Sequence, residues 1–213
     1  MIELSIIIPI WNVQPKLVEY TKKCIKCARM TEMSNEVIII DNGSPEAQMY
    51  GADVYVRFPY NTGIPHAWNA GIKLSQGEYI CHLNNDCFVP EKWAESLIAL
   101  KKHYQATFIS PRYGVAKYLT DFNTEVSDGC GGACFITEYE TYDRLGLFDE
   151  SFGLYFHEDT DMYERVKRAG ERWLYADKIQ AEHIGRASCK EHGDWQNMLK
   201  QTQSRFKQKW AVA

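Results

Sequence analysis

Apolar residues come in short runs that break at polar turns, and these runs alternate with stretches of helical spacing. Glu3 to Pro9 predicts a strand buried on both faces, after which Leu17, Tyr20, Cys24, Cys27 and Ala28 recur along one helix face. A second strand, Val37 to Ile40, ends at Asp41-Asn-Gly-Ser44, whose side chains and glycine favour a turn. The third, Val54 to Phe58, leads to Asn61-Thr-Gly63, and Ala67, Ala70, Ile72 and Leu74 then predict a helix that stops at Gly77. The fourth, Tyr79 to Leu83, ends at Asn84-Asn85-Asp86. Pro90 is expected to open the following helix, with Trp93, Leu97, Ile98 and Leu100 on its apolar face.

Repeated strand–helix units of this kind predict an α/β fold, Rossmann-like, with a mixed but mainly parallel sheet and helices on both faces. Ligands of such sheets bind beyond the C-terminal strand ends, where the polar clusters at Asp41 to Ser44 and Asn84 to Asp86 both fall. The second half changes character. Short strands at Thr107 to Ser110, Cys134 to Thr137 and Arg172 to Ala176 extend the sheet, and no linker or repeat separates the halves, so 1–213 reads as one domain.

At 213 residues and 45% hydrophobic content the chain supports a full core. A net charge of -4 provides no general field for nucleic-acid backbones, and no apolar run is long enough to cross a bilayer. Met1 leads straight into the first strand without a basic leader, and the seven cysteines are scattered and odd in number. A cytoplasmic protein with reduced thiols is expected. Cys24 and Cys27 form a C-x-x-C inside the first helix, but no second pair completes a zinc site.

Six segments, SIIIPIWN, VIIIDNGS, NTGIPHAWNAGI, GEYICHLNNDC, GGACFITEYETYDRLGLFDESF and FHEDTDMYERVKRAG, come in the order found in inverting glycosyltransferases of family 2. The chain resembles that family, in particular its rhamnosyltransferase-like branch, over nearly its whole length. The resemblance implies the GT-A fold, with a nucleotide-binding half at 1–110 and an acceptor-binding half, including a C-terminal helix, at 111–213. It implies transfer of a hexose from a nucleotide diphosphate sugar, most naturally a UDP-sugar, to a hydroxyl of a glycan or lipid-linked acceptor. Asp41 would accept a hydrogen bond from the uracil, although an Asx turn onto Ser44 accounts for the same residue. Pro9 and Trp11 would lie beside the base, with Asn61, Asn84, Asn85 and Gly132 also at the donor.

A leaving diphosphate develops charge that a divalent cation neutralises, so Mn2+ or Mg2+ is the expected cofactor. The family's Asp-x-Asp appears here as Asn84-Asn85-Asp86, which keeps one metal-binding carboxylate at Asp86 and leaves Asn84 to hydrogen-bond the ribose. His183 matches a late histidine that completes the metal site in relatives. The family's ED motif assigns the general base to Asp159, with Glu158 in support; read alone, the segment is also an acidic helix N-terminus. Gly129 to Gly132 leave room for a sugar to approach, and Trp11, Trp68 and Tyr155 offer stacking faces.

Two other functions share this fold: a sugar nucleotidyltransferase and a non-catalytic nucleotide-sugar- or carbohydrate-binding protein. The loop Ile10 to Pro15 lacks the glycines and basic residues of the first, and Asn84 is the main support for the second. In the C-terminal segment, Trp195, Leu199, Phe206 and Trp210 fall near one helix face. That stripe is expected to pack on the domain or on a second subunit of a homodimer, rather than on an anionic membrane.

Overall fold

The computed structural model describes residues 1–114 and 125–211. At its centre β1 (Leu4–Ile10) pairs in parallel with β2 (Asn35–Asp41) on one side and β4 (Tyr79–Leu83) on the other, and β3 (Val54–Arg57) runs parallel beyond β2. Ile6 and Ile8 pack with Cys24 and Ile25 of α1 (Pro15–Ala28) and Trp93 and Leu97 of α3 (Trp93–His103). Ile7, between them, joins Ala67 and Trp68 of α2 (Ile64–Leu74) on the opposite face. A strand covered on both faces must be apolar at every position, which is why β1 reads as a run and not as an alternation. Gly71 marks the closest approach of α2, since a Cβ there would lie 2.3 Å from Ile7 Cγ2.

The sheet continues with antiparallel pairing. β8 (Cys134–Glu138) lies between β4 and β6 (Phe108–Tyr113), and β9 (Trp173–His183) runs parallel to β6. β7 (Val126–Asp128) and the two-residue β5 (Cys87–Phe88) both pair antiparallel with β9. Among the described residues this makes one nine-stranded mixed sheet, in the order β3-β2-β1-β4-β8-β6-β9-β5 with β7 against β9. Helices cover both faces, with α4 (Glu140–Leu145) and α5 (Glu158–Arg168) on the side of α2.

Two expected boundaries move. The strand expected at Arg172 to Ala176 runs on to His183 through a register shift opposite Pro111 and Arg112, because its polar outer half is held by β5 and β6 rather than by a buried face. Pro90 does not open α3. Lys92 takes a left-handed conformation (φ 55°, ψ 27°) and donates its N–H to Met30 O, so the helix starts only at Trp93. Trp68, offered as a stacking face, is 1% exposed and packs edge-on against His82 and Phe135. Burial within that aromatic cluster pulls the His82 pKa down to about 3, so its ring is a neutral core group.

The C-terminal helix, α6 (Trp195–Trp210), turns its aromatic stripe onto its own domain. Trp195 faces Phe156, Phe206 faces His157, and Trp210 donates its Nε1–H to Asp161 Oδ1 at 2.9 Å. Asp161 is fully buried in α5, with Lys209 Nζ at 2.7 Å and an Arg165 guanidinium nitrogen at 3.0 Å. Its carboxylate therefore joins the last turn of α6 to the helix that carries Glu158 and Asp159. Asp161→Ala takes one partner from each of two cations, and the expected loss is about 3 kcal/mol, the lower end for breaking a buried pair. Arg165 keeps the Leu145 and Leu147 carbonyls and Lys209 keeps Asp149, which limits the cost. Urea denaturation followed by tryptophan fluorescence measures it; an unchanged midpoint would show that α6 does not depend on Asp161.

Candidate active site

A crevice of about 510 Å³ opens beyond the C-terminal ends of β1, β2 and β4. Pro9 and Trp11 enter it from the end of β1, and Asn61 from the turn before α2. Asn84, Asn85 and Asp86 form the turn between β4 and β5, Gly132 precedes β8, Glu158 and Asp159 open α5, and His183 ends β9. Groups spread over more than 170 positions of sequence thus share one cavity, as the strand-end rule anticipates.

Asp41 is the exception. It is fully buried behind the wall, its Oδ1 accepting from Ser44 N at 2.8 Å and its Oδ2 from the Tyr55 hydroxyl at 2.6 Å, with Arg57 Nε at 3.6 Å. The Asx turn is realised, and the neighbouring Asn42 reaches the crevice instead. Asn42 fixes the turn at residues 61–63: its Oδ1 accepts from Thr62 N and Oγ1, and its Nδ2 donates to Gly63 O.

Asp86 and His183 meet because β5 pairs with β9. Cys87 lies opposite His183, and His183 Nε2 stands 3.3 Å from Asp86 Oδ1. Asp86 Oδ2 faces the Ala187 N–H at 3.4 Å, and its carbonyl accepts from Ile184 N at 3.1 Å. One carboxylate and one imidazole so close together fit a divalent cation that draws its remaining ligands from phosphate and water. Among the described residues no group of three or more His, Cys, Asp or Glu side chains would hold a metal unaided. Asn85 is tied inward, donating to Asn12 Oδ1 at 3.2 Å and Thr21 Oγ1 at 3.0 Å, while the Asn84 amide has no protein partner among the described residues.

Glu158 and Asp159 differ sharply. Burial, reinforced by the neighbouring Asp159 charge, pushes the Glu158 pKa up to about 8, and its Oε2 has no hydrogen-bond partner among the described residues. Glu158 is therefore protonated at neutral pH. The Asp159 Oδ1 accepts from Thr160 N at 2.7 Å and Thr160 Oγ1 at 3.1 Å, which fixes the carboxylate and leaves Oδ2 over Gly132. A Cβ at Gly132 would fall 2.0 Å from that oxygen, so only glycine admits Asp159 in this position.

Several wall residues are given no polar role by the sequence motifs: Asn42, Tyr113, Tyr155, His157 and Arg186. Tyr155 was marked only as a stacking face, yet its hydroxyl accepts from Asn61 Nδ2 at 2.8 Å and so joins the donor turn to the loop before α5. Phe156 and His157 both have positive φ, 77° and 68°, a strained pair of the kind found beside functional sites and a signal that sequence alone does not carry.

The family model described as "Glycosyl transferase family 2" matches residues 5–162. The glycosyltransferase EpsJ of Bacillus subtilis is 27% identical over 151 residues, covering 67% of this chain and 42% of its own. A glycosyltransferase of Rickettsia typhi is 26% identical over 192 residues, covering 78% and 58%. Among solved structures, GalNAc-T7 with UDP, GalNAc and Mn2+ superposes with a TM-score of 0.66 at 16% identity, over 86% of this chain and 44% of that one. TarS of S. aureus gives 0.67 at 13%, over 87% and 61%. Both share the GT-A fold. The chain spans less than two thirds of each of these proteins.

The Glu158 pKa sets a pH dependence. Between its ordinary value of 4.5 and about 8 the folded state holds a proton that the unfolded chain releases, so this group lowers stability as pH rises through that window. The slope approaches about 1.4 kcal/mol per pH unit. Glu158→Gln should remove it, giving a variant whose stability advantage grows from pH 5 to about 8 and then levels. Denaturation midpoints of both proteins across that range measure the difference, and parallel profiles would contradict the assignment.

Proposed function

Because the chain belongs to glycosyl transferase family 2, we propose that this crevice transfers a hexose from a nucleotide diphosphate sugar to an acceptor hydroxyl with inversion, by direct displacement. The observation that carries the reading is the meeting of Asp86–His183 and Glu158–Asp159 in one crevice. Asp159 acts as general base: its Oδ2, free of donors among the described residues, takes the hydroxyl proton as the acceptor oxygen bonds to the anomeric carbon and the bond to the diphosphate breaks. Protonated Glu158 cannot accept that proton, and it offers a hydrogen bond to a substrate oxygen instead.

Asp86 and His183 would hold Mn2+ or Mg2+, which when bound neutralises charge on the leaving diphosphate. An imidazole ligand favours Mn2+ over Mg2+. The presence of UDP and Mn2+ in the GalNAc-T7 structure supports a UDP-sugar and this metal. Pro9 and Trp11 flank the base, Asn61 and the free Asn84 amide meet the ribose or sugar, and Asn85 braces their turn. Asp41, sealed behind the wall, shapes the base end by holding the Ser44 turn. The acceptor is a glycan or lipid-linked sugar. Seven free thiols agree with a cytoplasmic setting, and no helix among the described residues is long and apolar enough to cross a membrane.

Two measurements test the reading. In a panel of nucleotide sugars, donor turnover should need Mn2+ or Mg2+, fall with chelator and be largely lost in Asp86→Ala; full turnover in chelator would sink the metal assignment. Nucleotide-sugar binding without any turnover would identify a binding module instead. Asp159→Asn should keep donor affinity and reduce transfer by at least about a hundredfold, the usual lower range for a lost general base. Near-normal transfer in that variant, with Glu158→Gln inactive, would move the base by one residue.

A further inference from the structure

His157 lies on the crevice wall immediately before the two carboxylates, and the ED motif gives it no role of its own. Its Nδ1 is 3.0 Å from the hydroxyl of Thr202, which is the buried residue of α6. That hydroxyl also sits 3.0 Å from Met198 O and 3.1 Å from Leu199 O, the bond a helical threonine makes to the preceding turn. A hydroxyl has one proton. Once that proton is given to a helix carbonyl, the oxygen can only accept from the imidazole, so Nδ1 must carry the hydrogen. Burial lowers the His157 pKa, which keeps the ring neutral at physiological pH and leaves Nε2 as a bare lone pair. Among the described residues no protein group meets Nε2.

We propose that His157 is an acceptor-binding residue whose Nε2 receives a hydrogen bond from a sugar hydroxyl, while Thr202 holds the ring in the tautomer that makes this bond available. The chemistry around it selects the ligand. Bare Nε2 and the Asp159 carboxylate both accept hydrogen bonds, so this end of the crevice repels phosphate and calls for a polyol. The diphosphate belongs at the Asp86–His183 end. The strained turn at Phe156 and His157 is the cost of aiming the ring, and Trp195 and Phe206 of α6 hold it there. The acceptor assignment rests on the transfer reading; the tautomer and the polyol site do not.

The test is 15N NMR of the imidazoles in the full chain, titrated with a panel of methyl glycosides in the absence of donor. The wild type should show His157 protonated at Nδ1, with its Nε2 resonance moving on addition of at least one glycoside. Thr202→Val should release the ring to the Nε2–H tautomer, and Thr202→Ser, which keeps the hydroxyl, should not. His157→Asn, chosen because asparagine tolerates positive φ, should weaken glycoside binding about tenfold, one hydrogen bond's worth. An Nε2–H tautomer in the wild type, an unchanged tautomer in a folded Thr202→Val protein, or an Nε2 resonance that no glycoside moves would each overturn the inference. Glycoside binding at Nε2 in a protein that turns over no nucleotide sugar removes the transfer reading and leaves the site standing. Turnover with an Nε2–H tautomer does the reverse.

Discussion

The two-residue strand Cys87–Phe88 pairs antiparallel with the far end of β9, and the geometry of the crevice follows from that short bridge. It is the contact that sets His183 beside Asp86, although nearly a hundred residues separate them. The pairing works because β9 outruns its own core. Its inner half is held by β6 and β7, and a register shift opposite Pro111 and Arg112 redirects the outer half toward the β4–β5 turn. A register shift of this kind re-aims side chains at a sheet edge. Without β5, the carboxylate and the imidazole would belong to unrelated loops.

The Glu158–Asp159 part of the crevice obeys an electrostatic constraint. Two adjacent carboxyls at a crevice opening cannot both be desolvated and charged, so burial goes to one and the charge stays with the other. Glu158 takes the burial and keeps its proton; Asp159, held by Thr160, keeps solvent access above Gly132. In the proposed reaction the same pair of residue types supplies a hydrogen-bond donor and a proton acceptor side by side, a division of roles set by environment.

The part of the crevice formed by α5 and the turn before it depends on α6. The buried Asp161 ties Trp210 and Lys209 to α5, while Thr202 and Phe206 hold the His157 ring in a turn that the backbone alone would disfavour. The aromatic stripe that the sequence assigned to the domain or a partner subunit packs inside the domain. The helix that closes the described chain is therefore part of how the crevice is shaped.

The sequence by itself determined the order of strands and helices in the first half, because buried strands and helix faces leave short-range patterns that need no partner to be read. It also determined that the polar groups after β2 and β4 would share one end of the sheet, and resemblance marked Asp86, Glu158 and Asp159 through ordered motifs and His183 as a late histidine. Tertiary structure decided the rest. Which of Asp41 and Asn42 faces the crevice depends on Tyr55 and Arg57, residues of a neighbouring strand. How far β9 extends depends on β5, and which carboxyl keeps its proton depends on how deeply each is buried. These are properties of contacts between distant segments and of desolvation, and periodicity along the chain encodes neither.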